Sequence, residues 1–277
     1  MLKLINFAHS EIFMIGTFAA LFTMHGLGID HAIGGFALVG ALLLCALAAA
    51  AASGGAAVVL ERVAYRPLRK RGASRLAALI SAIGASFFLQ EVFALRYGRD
   101  TLSFPRILSK TVLFHIGDGA VRTDKVLVVV AALVMMFVLD RFVAATRLGR
   151  GIRATAQDPE TAVLMGVNID RVVMLTFLLG GIMAGGGALM YGVLLEQTRF
   201  DVGFVLGIKA FTAAVLGGIG NLRGALVGGF ALGLIEAYGS SVWGTQWKDV
   251  IAFVVLVVVL MFRPTGILGE ALERARA

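Results

Sequence analysis

Charge and cysteine are both scarce in this sequence. Only 15% of its 277 residues are charged, well below the roughly 25% of a soluble domain. The single cysteine, Cys45, excludes both a disulfide framework and a cluster of thiolate metal ligands. Hydrophobic residues make up 59% of the chain, which excludes a disordered protein. A soluble core of this length could not bury so much apolar surface.

Familiar enzyme motifs are missing as well. The glycine runs at 185–187 and 217–220 are not followed by the Lys-Ser or Lys-Thr pair of a phosphate-binding loop. Metal-ligand spacing is absent from the histidines, which are His9, His25, His31 and His115. We therefore predict that the chain is not an enzyme and binds no cofactor of its own. Any energy source is expected to bind to another protein.

Long apolar runs are what the sequence has in abundance. A helix needs about 20 apolar residues to cross a bilayer. Such runs predict spans at 4–25, 32–60, 76–97, 125–146, 172–195, 204–220 paired with 224–243, and 248–263. The pair is either a tight helical hairpin or a re-entrant element, because only residues 221–223 separate its halves. The predicted fold class is an all-α, polytopic helical membrane protein with about seven to eight transmembrane or re-entrant helices.

Basic residues set the predicted orientation. The segment 61–75 carries six of them against one acid, Glu61, whereas the charges of 98–124 nearly balance. Lysine and arginine concentrate in cytoplasmic loops, so the first segment is predicted inside and the second outside. Alternation then places 147–171, the 221–223 turn and the C-terminus in the cytoplasm. The net charge of +8 has the same origin, so no nucleic-acid partner is expected.

Small residues recur at four-residue spacing inside the predicted spans. The pairs are Gly181/Gly185, Gly224/Gly228 and Gly229/Gly233. Such pairs let membrane helices approach closely, so we expect a tightly packed bundle. Close packing of this kind suits a bundle that changes shape.

The segment 147–171 contains the signals of a short helix. Asp158 is a favourable N-cap and Pro159 suits the first helical position. Glu160 lies where the helix dipole favours a negative charge, and Gly166 is a natural C-terminal stop. So short a helix needs something to pack against, either the chain's own helices or a partner. The second is favoured by its apolar side chains, Val163, Leu164 and Met165.

Residues 160–166, Glu-Thr-Ala-Val-Leu-Met-Gly, resemble the Glu-Ala-Ala-x-x-x-Gly loop of ABC importer permeases. In that family the loop is a coupling helix seated in a groove of the cytoplasmic ATPase. Thr161 replaces one alanine, and the later Ile-x-Leu-Pro part of the family motif has no match. The resemblance implies that the ATPase-coupling residues are Asp158, Pro159, Glu160, Thr161, Ala162, Leu164 and Gly166.

Further motifs narrow the resemblance to branched-chain amino acid ABC transporter permeases, nearest to the H-type (LivH-like) subunit. They are Ile-Asn-Phe-Ala-His (5–9), Glu-Arg-Val-Ala-Tyr-Arg-Pro (61–67), Leu-Ile-Ser-Ala-Ile-Gly (79–84), Lys-Ala-Phe-Thr-Ala-Ala-Val-Leu-Gly-Gly-Ile-Gly (209–220) and Pro-Thr-Gly-Ile-Leu-Gly (264–269). The sequence departs from the family in two ways. The family has a further hydrophobic span before the motif at 5–9, and we expect either that the start codon was placed late or that this span is truly absent here. Ser10 replaces a usual glycine. The resemblance implies one permease domain over 1–277, with 147–171 as its cytoplasmic coupling loop.

The resemblance also implies an ATP-driven importer of branched-chain amino acids in a bacterial-type cytoplasmic (inner) membrane. Its partners would be a sister permease subunit in a heterodimer, two cytoplasmic ABC ATPases that use the ATP, and an extracytoplasmic substrate-binding protein. Similar permeases carry other amino acids, urea or short amides, so these solutes stay open. The alternative is a secondary transporter or channel for a small solute, which would use midplane carboxylates but no coupling helix.

Ionisable residues inside the predicted spans are candidates for the translocation pathway. If Met1 lies near the cytoplasmic face, Glu11 lies roughly 15 Å into the bilayer, where a charge is costly and usually functional. Lys209 and Glu236 fall at similar depths, about 9 and 10 Å below the outer surface, so we expect them to meet as an ion pair or through water. The alternatives are that Glu11 only pairs within the bundle and that Lys209 extends toward the surface. The candidate pathway residues are Asn6, His9, Glu11, Lys209 and Glu236.

Overall fold

The computed structural model describes residues 8–29, 31–116, 119–263 and 265–269. Within these ranges the chain is mainly helical: α1 (His9–Gly26), α2 (Gly35–Leu60), α3 (Arg66–Lys70), α4 (Arg75–Tyr97), α5 (Thr123–Ala145), α6 (Arg147–Gln157), α7 (Pro159–Leu164), α8 (Ile169–Leu195), α9 (Val202–Gly217), α10 (Leu222–Trp243) and α11 (Lys248–Phe262). A π-helical turn, Glu61–Tyr65, joins α2 to α3, and a 3-10 turn, Thr245–Trp247, precedes α11.

Six helical segments in the described ranges are long and apolar enough to cross a membrane. They are Gly35–Lys70, Leu76–Tyr97, Thr123–Ala145, Ile169–Leu195, Leu222–Trp243 and Thr245–Phe262. A further apolar helix, α9, is shorter, and α1 covers the described part of the predicted span 4–25 without being one of the six. The predicted class, a polytopic helical membrane protein, is confirmed.

The first of these six segments is longer than the sequence predicted. Helical structure runs unbroken from Gly35 to Lys70, whereas the predicted span ended at residue 60 and was followed by a loop. The basic side chains do not end the helix, because several of them contact α8: Arg62, Arg66 and Arg69. Only residues 71–74 connect α3 to α4.

Two small antiparallel ladders lie in and beside the 98–124 segment, which was predicted as a loop. β1 (Leu102–Ser103) pairs with β4 (Gln197–Thr198), and β2 (Val112–Ile116) pairs with β3 (Gly119–Arg122). The first ladder fastens this segment to the C-terminal end of α8. The two ladders are short, so the protein is still mainly helical.

Contacts divide the chain into two compact units. Unit 1 is Met1–Met135 with Arg141–Phe204, and unit 2 is Met136–Asp140 with Val205–Ala277. Each unit has its own apolar core. The expectation of one permease domain over the whole chain stays a prediction.

In unit 1, α1, α2 and α8 pack closely through small residues. A Cβ added at Gly181 would lie 2.7 Å from the Ser53 carbonyl oxygen, and one at Gly185 would collide with the backbone of Ala49. Cys45 is buried in the same core. The predicted close approach at Gly181 and Gly185 is confirmed, and the partner helix is α2.

In unit 2, α9 and α10 form a tight helical hairpin. Gly217 lies against Gly224, and Gly228 lies against the Ala213 carbonyl, which is an antiparallel crossing next to the turn. The turn begins α10 with Asn221, whose side-chain oxygen accepts from two backbone N–H groups. The close approach expected at Gly229/Gly233 is not found within the described residues, because only the backbone of the same helix lies within 4 Å of a Cβ at either position.

The closing segment 265–269 folds back on this hairpin. The Ile267 N–H donates to the Leu216 carbonyl at 2.8 Å, and the Leu268 N–H donates to the Gly217 carbonyl at 2.9 Å. These bonds satisfy carbonyls that the C-terminus of a helix leaves without partners. Gly266, at φ +76°, lets the backbone approach Gly218 closely.

Candidate functional site

The short helix α7 has the ends that the sequence predicted. The Asp158 carboxylate accepts hydrogen bonds from the N–H groups of Glu160 and Thr161, at 3.0 and 3.3 Å, and from the Thr161 hydroxyl. That hydroxyl is the largest cause of the lowered pKa of Asp158, and the two N–H groups add to it. The cap therefore stabilises α7 fully at any pH above the ordinary pKa of an aspartate. This stabilisation is lost only as the pH falls through the lowered pKa of Asp158. Gly166, at φ +83°, ends the helix.

One face of α7 packs inward and the other projects away from the chain. Ala162 is 3% exposed, whereas Leu164 and Met165 are 86% and 80% exposed. Val163 is half exposed beside them. We call Val163, Leu164 and Met165 the α7 patch. Adjacent apolar side chains exposed to this degree are typical of a protein-binding surface.

Glu11 is the most deeply buried of the candidate pathway residues that the structure describes, with no exposed surface. Its Oε1 accepts from the Ser10 hydroxyl at 3.2 Å and from two side chains of α4, the Ser86 hydroxyl at 3.0 Å and the Gln90 amide at 2.9 Å. Its Oε2 has no hydrogen-bond partner among the residues that the structure describes. A Cβ at Gly203 would lie 3.1 Å from that oxygen.

The three N-terminal candidates do not form one cluster in the described structure. The His9 ring lies against Gly180 of α8, whereas the Glu11 carboxylate faces α4. Asn6 lies outside the described residues. The contribution of Ser86 and Gln90 was not predicted, because these residues lie 75 and 79 positions from Glu11 along the chain.

Lys209 and Glu236 form the ion pair that the sequence predicted. Lys209 Nζ lies 3.2 Å from Glu236 Oε1 and 2.8 Å from Oδ1 of Asp249. Lys209 and Glu236 are mostly buried, whereas the Asp249 side chain is 57% exposed. One ammonium group thus joins α9, α10 and α11. The sequence missed Asp249, although an acid two residues after Trp247 at the start of a predicted span is a usable signal.

A second polar site, also missed, lies where β1 and β4 meet. A cavity of about 870 Å³ is lined by His31, Ser103, Arg106, Lys110, Arg122 and Glu196, among others. Glu196 has a left-handed backbone at φ +56° and lies 2.9 Å from Arg106 and 2.6 Å from Lys110. Burial works against its charged form, but hydrogen bonds from Lys110 and Arg106 outweigh burial and lower the pKa of Glu196.

Comparison with known proteins identifies the family. Residues 1–260 match the family model described as "Branched-chain amino acid transport system / permease component". The chain belongs to this family. The chain is 41% identical over 271 residues to the high-affinity branched-chain amino acid transport system permease protein BraD of Pseudomonas aeruginosa, covering 96% of this chain and 86% of BraD. It is 39% identical over 270 residues to the corresponding protein LivH of Escherichia coli K12, with the same coverage of both chains.

A more distant relative of this permease family is archaeal. The probable branched-chain amino acid transport permease protein LivH of Methanocaldococcus jannaschii is 24% identical over 282 residues, covering 95% of this chain and 82% of that protein. No solved structure matches the chain. The resemblance inferred from short motifs is therefore confirmed over nearly the whole permease chain.

The buried carboxylate of this permease provides a direct test of its pathway role. We expect Glu11→Gln to lower solute uptake by roughly fivefold, because hydrogen bonds to a charged acceptor are about 1 kcal/mol stronger than neutral ones. The amide keeps one acceptor oxygen for the three donors, so the amount of protein in the membrane should not change. The matched control is Glu91→Gln, the same substitution at an exposed acid. Wild-type uptake by the Glu11 variant would remove this residue from the pathway.

The Lys209 pairing is open to a double-mutant cycle. Lys209→Met and Glu236→Gln should each destabilise the permease, because each leaves a mostly buried charge with fewer partners. We expect a coupling of about 1–3 kcal/mol between the two changes, measured by thermal unfolding in detergent. Asp249 is a second acceptor for Lys209, so Glu236→Gln should have the smaller effect. Strictly additive losses would show that the pair contributes nothing as a pair.

Proposed function

We propose that the chain is a permease subunit of an ATP-driven ABC importer that moves branched-chain amino acids across a bacterial-type cytoplasmic membrane. Support for the transport role comes from family membership over residues 1–260 and from the named roles of BraD and LivH. Support for the membrane setting comes from the six apolar helical segments in the described chain. In this proposal the chain itself hydrolyses no ATP.

The single observation that carries the ATP-driven mechanism is the α7 patch. A capped helix of six residues keeps its fold through Asp158 and Ala162 and presents Leu164 and Met165 outward. A secondary transporter or channel has no use for such a surface. An ATPase that moves relative to the membrane needs one, because its motion must reach the spans through a contact.

The proposed assembly contains a sister permease in a heterodimer, two cytoplasmic ABC ATPases and an extracytoplasmic substrate-binding protein. The ATPases would hold the α7 patch, which places 147–171 and the C-terminus in the cytoplasm. The structure is consistent with one part of this orientation. Arg223, next to the α9–α10 turn, pairs with Asp140 near the C-terminal end of α5, and the closing segment contacts the same turn. The C-terminal part of α5, the α9–α10 turn and the closing segment therefore lie at the same end of unit 2. The predicted topology places all three on the cytoplasmic side.

The test is uptake by the reassembled complex. The chain is reconstituted in proteoliposomes with its partner permease, the ATPases and the binding protein, and radiolabelled leucine uptake is measured with and without ATP. We expect uptake that requires ATP and that isoleucine and valine inhibit, whereas urea and acetamide do not. Inhibition by urea or acetamide instead would change the substrate class. Leucine exchange by the chain alone, without ATP, would replace the proposal with a secondary transporter.

A further inference from the structure

A stripe of α8 packs against the end of the long helical segment Gly35–Lys70. The stripe begins in the first turn of α8 and recurs every three or four residues, which places its side chains on one helix face. The contacts are Arg66 and Arg69 with Asp170 at 3.1 and 2.6 Å, Arg62 with the Met174 sulfur at 3.7 Å, and Tyr65 with Phe177 at a ring separation of 5.2 Å. We call these seven residues, together with Glu61, which pairs with Arg69, the clamp.

The centre of the clamp is a guanidinium held between two carboxylates. Arg69 Nη2 lies 3.1 Å from Glu61 and 2.6 Å from Asp170, so it joins the π-helical turn to α8. The Glu61 side chain is 1% exposed. A carboxylate buried to this degree depends on its partner, because removing the partner leaves an uncompensated charge. Arg69 is therefore fixed in position from both sides.

The clamp lies next to the helix proposed to contact the ATPases. Only residues 165–168 separate α7 from α8, and Asp170 is the second residue of α8. A displacement of α7 therefore reaches Asp170 within a few residues. The part of the clamp that belongs to the Gly35–Lys70 segment includes the π-helical turn Glu61–Tyr65, whereas the rest of that segment is α-helical. Such turns within α-helices occur frequently at functional sites.

We propose that the clamp carries the displacement of α7 to α2 and α8, with Glu61, Arg69 and Asp170 as positioning residues. This inference rests on the proposed function, because it assumes that an ATPase moves α7. The clamp holds the start of α8 and the end of the Gly35–Lys70 segment as one body. Further along α8, Gly181 and Gly185 continue the contact between α2 and α8. Motion at α7 then shifts both spans together.

The first test measures the clamp without any transport. Spin labels are placed on the full chain in lipid nanodiscs at two exposed positions, Leu164→Cys in α7 and Val59→Cys in α2, with Cys45→Ala. We expect a narrow distance distribution in the otherwise unchanged chain and a clearly broader one with Asp170→Asn. Glu91→Gln, which removes a carboxylate from an exposed ion pair on α4, should leave the distribution narrow. A narrow distribution with Asp170→Asn would overturn the proposal.

The second test uses the full complex and compares leucine uptake with ATP hydrolysis. Coupling residues change the linkage between two sites by about 0.5–2 kcal/mol. Asp170→Asn and Glu61→Gln should therefore lower the amount of leucine moved per ATP by about two- to thirtyfold. ATP hydrolysis should stay near the wild-type rate, and Asp170→Glu, which keeps the charge, should recover most of the uptake. A parallel fall of uptake and hydrolysis would mean that the clamp only supports the fold, and it would overturn the proposal.

The two tests separate this proposal from the proposed function. A wild-type complex that neither hydrolyses ATP nor takes up leucine would contradict the importer role. The distance measurement would still decide whether the clamp joins α7 to α2, because it requires neither ATP nor substrate. Another outcome is a working importer in which Asp170→Asn changes neither the label distances nor the leucine moved per ATP. That result would support the proposed function and contradict the clamp proposal.

Discussion

Leu164→Asp is expected to abolish transport while leaving the protein in the membrane. Leu164 is 86% exposed in the chain, so the substitution removes no internal packing. At a protein interface, however, a carboxylate at the centre of an apolar contact loses its hydration without gaining a partner. Central interface residues contribute about 2 kcal/mol or more, which corresponds to roughly thirtyfold weaker binding of the ATPase. The measurement is leucine uptake together with co-purification of the ATPase.

Three further variants sharpen this prediction. Leu164→Met keeps an apolar side chain of similar size, so it should retain uptake and ATPase binding. Gly166→Val should act like Leu164→Asp, because φ +83° is strained for a β-branched residue even though the space around it is open. Glu160→Lys places a positive charge at the N-terminus of α7, which the helix dipole disfavours. Normal uptake and normal co-purification in the Asp, Val and Lys variants would show that α7 is not the ATPase contact.

The helix α7 could be predicted from sequence because its determinants are local. The N-cap Asp158, the proline after it and the stop at Gly166 all act within one turn of the helix that they bound. Such signals do not depend on the rest of the fold. The sequence also singled out the apolar side chains Val163, Leu164 and Met165, and in the structure these three are exposed.

The end of the second span could not be predicted, because its determinant is a distant helix. A run of basic residues after residue 60 has the composition of a loop, whereas in the structure it is helical and contacts acid and sulfur partners on α8. Those partners are about 100 residues away, as with Arg69 and Asp170. The same limit applies to β1 and β4, whose two-residue strands have no periodicity to detect.

The Lys209–Glu236 contact shows how far depth arguments reach. The helical rise placed the two charges at similar depths on neighbouring segments, and in the structure Lys209 lies 3.2 Å from Glu236. The count did not include Asp249, which the structure places 2.8 Å from Lys209. The pathway role of Lys209 and Glu236, like that of Glu11, stays a prediction.

The glycine run in the middle of α8 permits the sharpest structural test. Gly185→Ala and Gly187→Ala are the same chemical change two residues apart on one helix, and each gains about 1 kcal/mol of helix propensity. At Gly185 the new methyl group would collide with the backbone of Ala49 and Ala50, which has no flexible end to move aside. At Gly187 it would lie 3.7 Å from Phe13, an ordinary van der Waals contact.

We expect Gly185→Ala to destabilise the protein by about 2–3 kcal/mol, because overpacking in a close contact separates the helices. The apparent Tm should then fall by about 5 °C, whereas Gly187→Ala should leave it unchanged or raise it slightly. The measurement is thermal unfolding in detergent, with the amount of protein in the membrane fraction as a second readout. Uptake by the Gly185 variant should fall as well, since α2 and α8 no longer move as one. Equal Tm values for the two variants would mean that α2 and α8 do not pack through Gly185.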